Sequence, residues 1–184
     1  KSTDSRSRLV DYAAFVRSPH AHAIIRGIDA KVAEKTSGVI GVMNGSQLTG
    51  DGIGNIICGW AISSKDGSPM NMGAWSALAT EKVRYVGDTV AVVIAESQEI
   101  ARNAAELVEV DYEVLPAVVN SVESLQNNAC QIHENAPGNL IFDWEIGNLS
   151  ETDEALKSAA HITKLELTNN RLSPNAMEPR SALA

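Results

Sequence analysis

The residues with the most chemical content lie close together near the carboxyl end, in the run Asn175-Ala176-Met177-Glu178-Pro179-Arg180. Pro179 holds Glu178 in an extended conformation and removes one backbone donor. A strand carrying such a proline is an edge strand, or it faces something other than a neighbouring strand. Glu178 and Arg180 fall on one side of the chain and can pair. The competing reading is a structural ion pair at a domain junction, and residue chemistry alone leaves both open.

Other constellations carry less. His20 and His22 would share a face on a strand and could hold a metal together, but no third or fourth ligand is near and Pro19 marks a turn. Structural histidines are the expectation there, and His133 and His161 are isolated residues expected in loops or at the surface. Gly50-Asp51-Gly52-Ile53-Gly54 has the look of a phosphate loop. A dinucleotide fingerprint, however, follows a strand and opens a helix, and Asn55-Ile56-Ile57-Cys58 opens none. No Gly-x-Ser-x-Gly occurs, and no Ser-His-Asp arrangement can be placed. Cys58 and Cys130 lie far apart, outside any Cys-x-x-Cys pattern and without a neighbouring base, so buried thiols are expected. Asp111 and Glu113 alternate along a strand and face water. The sequence therefore offers no catalytic residue and no metal site, and Asn175, Met177, Glu178 and Arg180 form its one candidate cofactor-proximal motif.

The elements that must position these residues come from an ordinary globular composition: 184 residues, 44% hydrophobic, with a formal net charge of −8. Aromatics make up only 4%, so the core must be built from Val, Ile, Leu and Ala. No basic stripe is present, which argues against nucleic acid and against an anionic membrane surface. No apolar run approaches the roughly 20 residues needed to span a bilayer. Residues 1–8 are polar and Ser/Arg-rich with no apolar stretch behind them; they read as a disordered lead-in, and the cytoplasm is the expected compartment.

Residues 9–17 and 21–28 read as strands, 30–35 as a short helix capped by Asp29, and 39–43 as a short buried strand. Asn44 caps one more helical turn. Residues 50–80 hold six glycines and no period, with Trp60 and Trp75 expected to pin a long surface excursion. Residues 82–85 and 89–95 read as strands joined by a tight Gly87-Asp88 turn, the second buried on both faces. Ser97 caps a helix with Ile100, Ala104 and Leu107 inward. Val108, Val110, Tyr112 and Val114 then alternate with acids as a strand with one wet face. A short helix at 121–127, a strand at 139–147, a helix opening at Ser150 and an extended run at 161–169 complete the reading. The end at Ala184 reads as a cut, with apolar Ala182-Leu183-Ala184 where a self-sufficient module would show a polar terminus; apolar groups and unpaired strand edges exposed at the cut predict self-association of the chain.

In this order, residues 14–23 (AFVRSPHAHA), 38–48 (GVIGVMNGSQL), 83–95 (VRYVGDTVAVVIA), 101–119 (ARNAAELVEVDYEVLPAVV), 133–140 (HENAPGNL) and 170–184 (NRLSPNAMEPRSALA) resemble the amino-terminal part of the molybdenum-binding large subunit of the aerobic carbon monoxide dehydrogenase / xanthine dehydrogenase / aldehyde oxidase family. The resemblance implies an α+β fold of α/β hammerhead type over residues 9–120, a mixed sheet with packed helices. A connecting segment and the opening of a molybdenum-cofactor domain would follow over 121–184. It implies a parent enzyme that uses molybdopterin cytosine dinucleotide, with iron–sulfur and FAD groups on partner subunits or domains. It also implies that the remainder of the large subunit and those iron–sulfur and FAD subunits are its partners. The MEPR form leans toward the carbon monoxide branch. The family's catalytic glutamate and pterin-contacting loops would lie beyond NAMEPRSALA, so no cofactor is expected to be bound by this chain alone. The expectation is a scaffold fragment, not catalytically competent by itself. The alternative is a stand-alone, non-catalytic binding or adaptor module that reuses the fold.

Overall fold

The computed structural model describes residues 10–73, 75–170, 172, 175–178 and 182. Strand β1 (Tyr12–Arg17), strand β2 (Ala23–Asp29), the single-turn helix α1 (Lys31–Glu34), strand β3 (Val39–Asn44) and helix α2 (Gly45–Gly50) come first. After a long irregular excursion follow β4 (Lys82–Val83), β5 (Thr89–Ala95), α3 (Gln98–Ala105) and β6 (Glu109–Val114). Two 3-10 turns (Glu123–Leu125 and Pro137–Asn139) and helix α4 (Leu149–Ser158) close the series. The chain divides into two compact units, Lys1–Glu145 and Ile146–Ala184.

The strands form two three-stranded sheets, ordered β1-β5-β3 and β4-β2-β6. Every pair is antiparallel. The α+β architecture is as expected, but the pairing is narrower than a mixed sheet: among the described residues no strands run parallel. β5 is central in its sheet because it is a run of β-branched residues with nothing to offer water; Val90, Ala91, Val93 and Ala95 are fully buried. Helix α3 lies on this sheet through Ala101 and Ala104, also fully buried. Ser97 starts it as its sequence promises, its Oγ accepting the Ile100 N–H at 3.2 Å. Asn44 and Gln47 form a reciprocal capping box at the start of α2. Asp29 is not the cap of α1. That position belongs to Ala30, and the Asp29 carboxylate accepts the Lys31 N–H instead.

Val90 and Val83 pack with Ala23 and Ala79, and Val93 with Ala33, Val42, Ala104 and Val108. Val16 and Val110 touch both groups, so the two clusters are one continuous core.

Further expectations need correction. β4 and β5 are not neighbours in one sheet: the Gly87 turn is a corner from one sheet to the other. It is tied down by Gly87 N–H to the Ser18 carbonyl and Ser18 N–H to the Asp88 carbonyl, both 2.8 Å. Gly87 has φ +90°, a conformation that favours glycine there. Residues 139–147 alternate like a strand but join no ladder, because their bonds go to the irregular excursion. Asn71 N–H donates to the Ile141 carbonyl, and Lys65 N–H to that of Asp143. Helix α4 begins at Leu149, one residue ahead of Ser150, because Asn148 accepts the Glu151 N–H at 3.2 Å. Residues 161–169 have no regular structure and are exposed.

Candidate functional site

The corner that links the sheets presents Lys82 and Arg84 on alternate positions of one extended segment, so both side chains leave the same face. They converge on one carboxylate. Lys82 Nζ lies 2.5 Å from Glu134 Oε1 and Arg84 Nη2 2.8 Å from Glu134 Oε2. Arg84 Nε also donates to the Ile132 carbonyl at 3.1 Å. The two cations hold the Glu134 carboxyl well below its usual range, at about 2. The clasp ties residues 131–139 to the corner. Asn139, at φ +58°, secures the same stretch: its Oδ1 accepts the Ile132 N–H, and its Nδ2 donates to the Ser124 and Cys130 carbonyls.

His133 sits between the two anchors. Burial and the neighbouring Arg84 guanidinium push its ring below the usual imidazole range. The ring lies against Gly73, where a methyl group would come within 2.6 Å of Nδ1. It lines a small hollow with Trp75, Arg84, Tyr85 and Asp88, and also a groove of about 710 Å³ with Ile56, Cys58, Met70, Met72 and Ile141. Burial, with Asp88 close by, pushes the Tyr85 hydroxyl up.

The structure separates the residues that sequence reading singled out. His22 is nearly buried, its Nδ1 donating to the Pro116 carbonyl at 2.7 Å, while its Nε2 and the Tyr112 hydroxyl are buried without a partner among the described residues. His20 stands edge-on to the Tyr112 ring at 5.1 Å. The two histidines thus serve different partners and form no chelate. Among the described residues no three His, Cys, Asp or Glu side chains converge as metal ligands. Gly50 closes a helix rather than opening one. The cysteines are not buried thiols: Cys58 is exposed and donates to the Trp60 carbonyl at 3.4 Å, and Cys130 is half-buried, donating to that of Pro116 at 3.2 Å. Trp60 and Trp75 are exposed and do not pin the excursion. His133, read as an isolated loop residue, is instead a junction. Its one sequence signal is its place beside the acid Glu134. Asn175, Met177 and Glu178 are exposed and outside any helix or strand, and Arg180 and residues 1–8 lie outside the described residues.

A molybdenum–pterin dinucleotide carries a diphosphate and calls for cations facing a cavity. The 710 Å³ groove has apolar and amide walls with no lysine or arginine. A second hollow, of about 550 Å³, is lined by Asp29, Glu34, Glu109 and Asp111, and its one cation, Lys31, already pairs with Asp29. The hollow beside His133 does present Lys82 and Arg84, but it encloses only about 70 Å³ and both cations are committed to Glu134. None of these three cavities fits such a group.

Residues 3–116 match the family described as aldehyde oxidase and xanthine dehydrogenase, a/b hammerhead domain. The chain is 31% identical to the carbon monoxide dehydrogenase large chain of Afipia carboxidovorans, over 94% of this chain and 22% of that one. It is 32% identical to the nicotine 6-hydroxylase large subunit of Paenarthrobacter nicotinovorans, over 94% and 20%. Among solved structures it is similar to reconstituted CO dehydrogenase from Oligotropha carboxidovorans, with a TM-score of 0.67, 28% identity, and 86% of this chain matched to 20% of that one. The chain thus spans about a fifth of the length of the curated relatives it matches.

Proposed function

The chain belongs to the aldehyde oxidase and xanthine dehydrogenase a/b hammerhead family, and from that premise we propose that it is the framework portion of a molybdenum hydroxylase large subunit of the carbon monoxide dehydrogenase type. The observation that carries this reading is the match over 94% of the chain to a carbon monoxide dehydrogenase large chain. In this role residues 9–120 are the hammerhead domain and residues 121–184 lead into the molybdenum-cofactor domain. The remainder of the large subunit and iron–sulfur and FAD subunits are the partners, and molybdopterin cytosine dinucleotide is the cofactor of the assembly. Asn175, Met177, Glu178 and Arg180 lie near that cofactor without taking part in the chemistry. The contribution of this part is mechanical: a rigid double sheet braces the residues that hold the group, whose geometry depends on such support. Free thiols at Cys58 and Cys130, outside any disulfide framework, accord with residence in the cytoplasm. No helix among the described residues is long and apolar enough to cross a membrane.

The reading is tested with the purified 184-residue chain. It should retain no molybdopterin dinucleotide on gel filtration and reduce no dye with carbon monoxide or an aldehyde as donor. Measurable turnover would overturn it.

A further inference from the structure

Soft metal-binding side chains are scarce in this chain and gather in one place. It holds four methionines, two cysteines and four histidines. Cys58, Met70, Met72 and His133 all line the groove of about 710 Å³. Backbone ties bring them there. Ile56 N–H donates to the Trp75 carbonyl at 2.7 Å and Met70 N–H to that of Ile62 at 3.2 Å, so residues 56–62 run back along residues 70–75 and Cys58 comes opposite Gly73. Asn71 pins the second run between its two methionines: its N–H donates to the Ile141 carbonyl at 2.8 Å and its Nδ2 to that of Leu140 at 3.0 Å. His133 enters from the side. Its ring rests on Gly73, where even a methyl group would come within 2.6 Å of Nδ1, an approach that glycine permits. Arg84 fixes the stretch that carries the ring, through the Ile132 carbonyl and the Glu134 carboxylate. The Cys58 thiol is exposed and holds only a long bond of 3.4 Å to the Trp60 carbonyl, which it can give up.

We propose that this groove binds a soft monovalent metal ion, copper(I), through the Cys58 thiolate, the Met70 and Met72 thioethers and the His133 imidazole. The donor set selects the metal. Cys58 and His133 alone are too few, and the thioethers that complete the set suit copper(I) rather than harder ions. Charge points the same way. No Asp, Glu, Lys or Arg lines the groove. The thiolate is therefore the one anionic donor, and a monovalent ion leaves the site neutral. A divalent ion would leave a positive charge close to Arg84 and Lys82, whose carboxylate partner Glu134 is already committed to them. Binding is an exchange without redox change: the Cys58 S–H bond breaks, a sulfur–copper bond forms, the proton leaves to solvent and the metal stays copper(I). The ion would tie residues 56–75 to His133 in a margin where Ile56, Ile57, Met72 and Trp75 are all exposed and hold little by packing.

The test titrates the reduced, full 184-residue chain with copper(I), supplied without oxygen as its bicinchoninate complex, and follows the methionine methyl NMR signals in parallel. About one equivalent should leave the chromophore for the protein, a stoichiometry set by the single four-donor groove. The Met70 and Met72 signals should move, and those of Met43 and Met177 should stay. Cys58→Ser, His133→Asn, and Met70→Leu combined with Met72→Leu should each weaken binding about tenfold or more. Cys130→Ser should leave it unchanged, because that thiol lies outside the groove, on the Pro116 carbonyl. Excess zinc(II) should not displace the copper. Copper held by a thiol alone, with the methionine signals unmoved or with native affinity in the histidine and methionine variants, overturns the site, as does displacement by zinc(II). Should a variant fail to fold, the methyl shifts of the native chain decide. Failure here leaves the framework reading untouched, since that reading rests on neither Cys58 nor the methionines.

Discussion

Replacing Glu134 by Gln removes one negative charge from between two positive ones and leaves the side chain its size. Lys82 and Arg84 retain 21% and 23% of their side-chain exposure, so their heads are largely withdrawn from water, whereas Glu134 keeps 65%. Its carboxyl, normally near 4.5, is held at about 2. A separation of that size in a sealed site would be large, but solvent screening at so exposed a carboxylate reduces it to about 1 kcal/mol. The sign follows from linkage. The folded state binds the proton more weakly than the unfolded state, so the stabilisation is complete above about pH 4.5 and is lost as the pH falls toward 2. Urea unfolding followed by circular dichroism at neutral pH should therefore place Glu134→Gln about 0.5 M below the native midpoint, taking a slope of about 2 kcal/mol per molar. The gap should close near pH 2 and narrow in about 1 M salt. Equal midpoints at neutral pH, or a gap that stays unchanged in acid, would refute the clasp as the anchor of residues 131–139.

Val93→Ala, which hollows the fully buried centre of β5, should cost about 2 kcal/mol in urea unfolding. Asn44→Ala removes one half of the α2 capping box and should cost about 1 kcal/mol, read from the same curves. Light scattering should show the chain associating as its concentration rises, because Leu165, Leu167 and Met177 are exposed at 77%, 79% and 103%; a constant monomer mass would contradict this. Glu178→Gln should move the unfolding midpoint by no more than about 0.5 kcal/mol, as expected of a side chain in water. A loss of 1 kcal/mol or more would instead mean that Glu178 is a structural ion-pair partner within this chain.

How far the fold could be read depended on how local its causes were. The Thr89–Ala95 run is rich in β-branched residues and apolar from Val90 onward, and it is the central strand of its sheet. Ser97 and Asn44 cap helices through bonds that span three residues, so four consecutive letters were enough. The acid-apolar alternation of Glu109–Val114 likewise gave its wet and dry faces as far as Tyr112, while Val114, expected on the dry face, is exposed. Residues 139–147 alternate as cleanly, yet periodicity reports which side chains seek cover and not which backbone offers a ladder. Here the partner is a stretch without regular structure some 70 positions away, as Asn71 and Leu140 show. The assignment of β4 and β5 to different sheets is likewise fixed by distant partners, Ala23 for one and Val16 for the other. His133 was illegible for the same reason. Nothing within ten residues of it shows that Gly73 will leave room for its ring or that Arg84 will hold the stretch that carries it.

The composition also explains why polar ties matter so much in this chain. With aromatics at 4%, the buried core is made almost wholly of valines and alanines, and the largest fully buried side chains are Val83, Val90 and Val93. Side chains that small cover the sheets but leave nothing to reach out and hold residues 53–75 or 116–145. Those stretches keep Ile57, Trp60 and Val119 almost wholly in water. They are kept in place by the Lys82–Glu134–Arg84 clasp, the Asn139 side chain and the His22–Pro116 bond, each worth little alone. The result is a firm double sheet with a loosely tethered apolar margin. That division accords with the framework role proposed above: rigidity where its own core lies, and uncovered apolar surface available to a packing partner.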